Sequence, residues 1–88
     1  MVTYSIYERT SGSIDYFNTA YSREEFINII LSNKEEYKYI IFDYYGNNKW
    51  CIYLMQDKIS DDTELTYSYP KTKQRINEIC RIVKNYYK

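Results

Sequence analysis

Between Tyr37 and Met55 the chain reads YKYIIFDYYGNNKWCIYLM, its densest run of aromatic and β-branched residues, interrupted once by Gly46-Asn47-Asn48. Such a run, broken by a short glycine–asparagine segment, predicts a β-hairpin that the rest of the chain must be built beside or across. Its register follows from burial. A two- or four-residue loop would bring Asp43 onto the face of Trp50, Ile52 and Leu54. A three-residue loop, Gly46-Asn47-Asn48, instead sets Tyr44 opposite Trp50, Phe42 opposite Ile52 and Ile40 opposite Leu54, and turns Asp43 away. A slip of one residue exchanges the two faces, so the three-residue loop is chosen, with Asn48 at the left-handed position of a bulged turn.

A second hairpin precedes it. Residues 3–9 alternate, with Val2, Tyr4 and Ile6 on one face, and Ile14–Thr19 returns after the polar turn Thr10-Ser11-Gly12-Ser13, where Gly12 is free to take positive φ. Ser22-Arg23-Glu24-Glu25 then has the form of a capping box, flanked by Tyr21 and Phe26 at the positions of a hydrophobic staple. The helix it opens is expected over 23–32, with Phe26, Ile29 and Ile30 on one face, and Asn33 as a left-handed stop.

After the central hairpin and a polar connection, DKISDDTE, the alternation of Leu65, Tyr67 and Tyr69 predicts a short fifth strand ended by Pro70, itself suited to a helix's first turn. Residues 71–87 form an amphipathic pattern that gathers Ile76, Ile79, Cys80, Val83 and Tyr87 on one side. The expected class is therefore α+β: an antiparallel sheet of four to five strands with two helices, order ββαβββα, packed mainly on one face. One compact domain should span 1–88, with Ile6, Phe26, Ile30, Ile40, Phe42, Trp50, Ile52, Leu54, Ile76, Ile79 and Val83 in its core.

The chain contains no histidine and only two cysteines, Cys51 and Cys80. That excludes a histidine-based triad and leaves too few soft ligands for structural zinc, so no metal and no cofactor are expected. Both thiols read as small buried hydrophobes, with a strand-to-helix disulfide as the alternative. Two glycines cannot make a phosphate-cradling loop. The spacing of Asp57, Asp61, Asp62 and Glu64 departs from a calcium loop, and a solvated acidic segment is the simpler account. No catalytic residue can be assigned, and a non-enzymatic protein is expected. No stretch approaches the roughly 20 apolar residues of a membrane span. MVTYSIYERT lacks the basic and apolar regions of a signal peptide, so a cytoplasmic location and no membrane partner are expected.

What remains is tyrosine and charge. Thirteen of 88 residues are tyrosine. Drift in an AT-rich genome accounts for part of this, since Ile, Lys, Asn and Tyr together make up 40 residues. The rest suggests a contact surface, because tyrosine supplies large, rigid, amphipathic area. The hairpin face away from the core carries Tyr39, Ile41, Asp43, Tyr45, Cys51, Tyr53 and Met55. Either a helix covers it, or Tyr39, Tyr45, Tyr53 and Met55 bind a partner.

The favoured expectation is a small protein-interaction module, an inhibitor or adaptor occluding a larger protein partner. Single-domain inhibitors carried by phages and other mobile elements, anti-defence proteins included, share this general size and composition. The alternative is a nucleic-acid-binding regulator. Residues 71–88 hold 6 basic side chains and 1 acidic one, against 6 and 11 in residues 1–70, and Arg81, Lys84 and Lys88 form a basic stripe near Tyr86 and Tyr87. A pI near 6.2 counts against that alternative. In a variant of the inhibitor reading, Glu24, Glu25, Glu35, Glu36, Asp61, Asp62 and Glu64 would share one surface and imitate phosphates.

Overall fold

The first helix starts and stops where local chemistry dictates. In the computed structural model, which describes residues 1–59 and 66–87, α1 spans Arg23–Ser32 and the Ser22 hydroxyl accepts the Glu25 amide at 3.1 Å. The Glu25 carboxylate reaches back one residue further than in the usual box, accepting the Tyr21 amide at 2.7 Å and satisfying a second orphan donor. Replacing Ser22 with alanine is expected to cost about 1 kcal/mol of stability, measured by denaturant titration. An unchanged midpoint would remove the cap from the account.

Two local expectations are corrected here. Tyr21 is exposed, and Phe26 instead stacks on Tyr4 with ring centroids 4.1 Å apart. Asn33 ends the helix at φ −114 rather than in the left-handed region. Its side-chain amide donates to the Ile29 carbonyl at 2.8 Å, which serves an orphan carbonyl without the left-handed turn.

The strands are β1 (Thr3–Arg9), β2 (Ile14–Ala20), β3 (Tyr39–Tyr44), β4 (Lys49–Met55) and β5 (Thr66–Ser68), and α2 (Lys73–Tyr86) follows. The fold is α+β in the order ββαβββα. The sheet runs β2-β1-β4-β3-β5. It is mixed, where a wholly antiparallel sheet was expected: β1 and β4 are parallel and the other pairings antiparallel. The cause is the route of the chain. α1 carries it from one edge strand, β2, over to β3, so the two hairpins meet through strands running the same way. A parallel pair requires such a crossover.

The central hairpin has the expected register, with Tyr44 opposite Trp50, Phe42 opposite Ile52 and Ile40 opposite Leu54. The loop has the three expected residues and is bulged: the Tyr45 amide bonds the Lys49 carbonyl at 2.8 Å while the Lys49 amide bonds the Gly46 carbonyl at 3.0 Å, so Gly46, at φ 82, is the extra residue. Asn47 and Asn48 both adopt positive φ, 53 and 60, and Asn48 is thus left-handed as expected. Two left-handed central residues make a turn of the I′ kind, whose twist matches the strands. Asparagine tolerates that conformation better than most side chains.

In the first hairpin, Gly12 does not take positive φ. The Thr10 hydroxyl organises the turn by accepting the Gly12 and Ser13 amides at 3.3 and 3.1 Å. The pairing then jumps from Ile6–Asn18 to Tyr7–Tyr16, leaving Phe17 as an extra residue in β2. This bulge exchanges faces. Phe17 packs on the core side, edge-on to Tyr37 at 6.2 Å, and Tyr16 turns to the other side against Tyr7.

The core lies between the sheet and the two helices. Each of the eleven expected core residues is buried, joined by Tyr4, Ala20, Ile27, Tyr37, Tyr69 and Cys80. The buried tyrosines place their hydroxyls on partners, as buried polar tips must. The Tyr69 hydroxyl donates to the Ile30 carbonyl at 2.7 Å and that of Tyr37 to Glu8 at 2.8 Å. Arg23 Nε donates to the Tyr4 hydroxyl at 2.6 Å while its terminal nitrogen donates to Asn77 at 2.7 Å, tying β1, α1 and α2 together. α2 is capped by Thr72, whose hydroxyl accepts the Arg75 amide. Pro70 thus lies before the cap rather than in the first turn.

Candidate functional site

Because strand residues alternate between faces, putting Tyr4, Ile6, Ile40, Phe42, Trp50, Ile52 and Leu54 under the helices sends their neighbours to the opposite side. There the strand registers line up one row across all five strands: Tyr16, Tyr7, Tyr53, Ile41 and Thr66. The rings are in contact. Tyr7 and Tyr53 stack with centroids 5.6 Å apart, and Tyr7 meets Tyr16 edge-on at 6.2 Å. The Arg9 guanidinium lies over the Tyr53 ring at 5.8 Å. A step along the strands, the Tyr45 hydroxyl meets the side chains of Cys51 and Tyr53. Burial, together with the Cys51 thiol, raises the Tyr53 phenol above its ordinary value, so these hydroxyls stay neutral hydrogen-bonding groups at physiological pH.

The four residues assigned to partner binding do not behave alike. Neither helix lies over this face. Tyr45 is 61% exposed, and Tyr39 and Tyr53 are half-buried. Met55 is completely buried and presents no surface, which corrects its place in the set. It sits at the end of β4 opposite Tyr39, and Ile41 beside it is also buried. The face therefore opens toward the β2 side. Tyr7, Tyr16 and Ile14 belong to it and were missed, with Tyr16 67% and Ile14 55% exposed. The signal for Tyr7 was the alternation of β1, which sets it on the face opposite Tyr4 and Ile6, whereas that for Tyr16 and Ile14 was hidden by the bulge at Phe17.

The two cysteines lie on opposite faces, Cys51 among the tyrosines and Cys80 in the core, and both are free. The sheet between them rules out the strand-to-helix disulfide. Burial pushes the Cys80 thiol up to about 11. A thiol reagent is expected to label Cys51 alone in the folded protein, read by intact mass. Equal labelling of both would contradict this packing.

The basic stripe is only partly available. Arg81 and Lys84 are exposed, but Lys84 Nζ lies over the Tyr44 ring at 5.6 Å, and Lys88 lies outside the described residues. Arg75 is paired with Glu78, and Lys71 donates to the Lys34 carbonyl. The Tyr87 hydroxyl donates to Asp43 at 2.9 Å, which draws that ring to the β3 edge. The acidic residues are divided. Glu24 and Glu25 open α1 whereas Glu35 and Glu36 follow its end, about 15 Å away at 1.5 Å per residue. Asp61, Asp62 and Glu64 lie outside the described residues. Among the described residues no group of three or more thiols and carboxylates converges as metal ligands would, and no helix is long and apolar enough to cross a membrane.

Comparison with protein-family models, with curated proteins and with solved structures found no match.

Proposed function

We propose that this chain is a small non-enzymatic protein-interaction module of the cytoplasm, an inhibitor or adaptor that occludes a larger protein partner with the tyrosine face of its sheet. One observation carries the reading. Both helices pack on the same side, and the side left open holds contiguous tyrosines, Tyr16, Tyr7 and Tyr53, among the polar residues that usually face water from such a sheet. Tyrosine anchors concentrate binding energy in a few residues at protein interfaces. A phage or other mobile-element origin as an anti-defence inhibitor fits the size and composition.

The alternative, nucleic-acid binding through Arg81, Lys84 and Lys88, has less support. Phosphate recognition needs clustered, available cations, and Lys84 and Arg75 are already engaged within the fold.

Site-specific photo-crosslinking tests the choice. With the crosslinker at position 16 or 45, native-cell extract is expected to yield a covalent adduct to a protein heavier than this chain, and none with the crosslinker at position 81. Adducts from position 81 alone, to protein or to nucleic acid, would overturn the reading.

A further inference from the structure

We propose that in the free protein the tyrosine face is occupied by a second copy of this chain, two sheets packing face to face about a twofold axis. This rests on the reading of that face as a protein-contact surface, and it adds a regulation: a larger partner must displace the second copy to reach the same tyrosines. A twofold contact sets one patch against itself, so the patch must be self-complementary. A face built from one sign of charge cannot be.

This face can. Each tyrosine hydroxyl both donates and accepts, so Tyr16, Tyr7 and Tyr53 of the row, with Tyr45 a step along the strands, meet their own copies without a mismatch. The charges on the face and its rim are of both signs, Asp43 against Arg9 and Lys49, as the strand alternation places them.

The area suits a weak contact. Four strands of six or seven residues, about 4.8 Å apart with about 3.3 Å per residue, give with their side-chain rims and without the sealed corner at Met55 and Ile41 a face of roughly 500 Å². Two copies would bury about 1,000 Å², the size of a transient interface, which implies a dimer that dissociates on dilution. Sheets packed this way sit about 10 Å apart with interdigitating side chains, a spacing that tyrosines fill.

The test is sedimentation of the purified chain. Wild type is expected as a dimer at about 100 μM and a monomer at about 1 μM, the bracket of a micromolar contact. Tyr16→Glu and Tyr45→Glu alter exposed positions and should leave the circular-dichroism spectrum unchanged while giving a monomer at both concentrations. Ile82→Glu, on the exposed side of α2, should dimerise as wild type does. A wild type that is monomeric at both concentrations would overturn the dimer, leaving the crosslinking from positions 16 and 45 to judge the heterologous contact by itself. A dimer that survives both tyrosine variants but is lost in Ile82→Glu would also overturn it, by moving the interface to the helices.

Discussion

Replacing Phe26 with alanine is expected to lower the unfolding free energy by about 3–5 kcal/mol. The ring is fully buried, stacked on Tyr4 at 4.1 Å and edge-on to Phe42 at 5.9 Å. It is the point at which α1 is pinned to β1 and β3 together. Removing it leaves a cavity among rigid aromatic neighbours that cannot readily collapse, and it frees the helix that carries the chain across the sheet. In a domain of this size such a loss approaches the whole stability. Denaturant titration followed by far-ultraviolet circular dichroism reads the effect. A loss below about 1 kcal/mol, the cost of a surface change, would show that α1 is held elsewhere.

The second large effect is alkaline unfolding. The phenols of Tyr4, Tyr37 and Tyr69 are raised above their ordinary value, in each case first by burial. For Tyr37 the neighbouring Glu8 carboxylate adds to the rise. Burial likewise holds the Cys80 thiol near 11. These groups bind their protons more tightly folded than unfolded, so the unfolded chain loses protons first as pH rises. Stability is then complete below about pH 9 and falls through pH 10 and beyond, as ionised phenolate and thiolate favour the open chain. Thermal melts from pH 7 to 11 should show a flat region and then a steep drop. A melting temperature unchanged to pH 11 would contradict burial of the three phenols and the Cys80 thiol.

How much of this was legible in the sequence depends on whether the controlling interaction is local. The β3–β4 register could be read because only one parity keeps Asp43 out of the core while burying Phe42, Trp50 and Ile52. The start of α1 could be read because Ser22 and Glu25 are three residues apart: the Ser22 hydroxyl accepts the Glu25 amide, and the Glu25 carboxylate accepts that of Tyr21. The parallel meeting of β1 with β4 could not. It depends on where α1 delivers the chain, and Tyr4 and Ile6 would alternate identically beside an antiparallel neighbour.

The site was partly legible for the same reason. Tyr45 and Tyr53 follow from the hairpin's parity. Tyr16 was lost because one extra residue at Phe17 inverts the alternation of β2, and a bulge leaves no mark in hydrophobic pattern alone. Met55 was assigned to the open face correctly by parity, yet it is buried where β4 ends beside Tyr39 and Ile41. Periodicity tells which way a side chain points and not what lies above it. The distant bonds, Tyr37 to Glu8 and Arg23 to Asn77, join residues that only the folded chain brings near.

One tyrosine face of the sheet is open, while Tyr4, Tyr37 and Tyr69 are sealed in the core. Hydroxyl-radical footprinting with residue-level mass spectrometry tests it most directly, at about 1 μM, where a face of this size does not hold two copies together. Rapid oxidation of Tyr16 and Tyr45 is expected alongside protection of Tyr4, Tyr37 and Tyr69, with protection of Tyr16 and Tyr45 appearing as concentration rises. Oxidation of Tyr16 and Tyr45 as slow as that of Tyr4 in the dilute protein would contradict it.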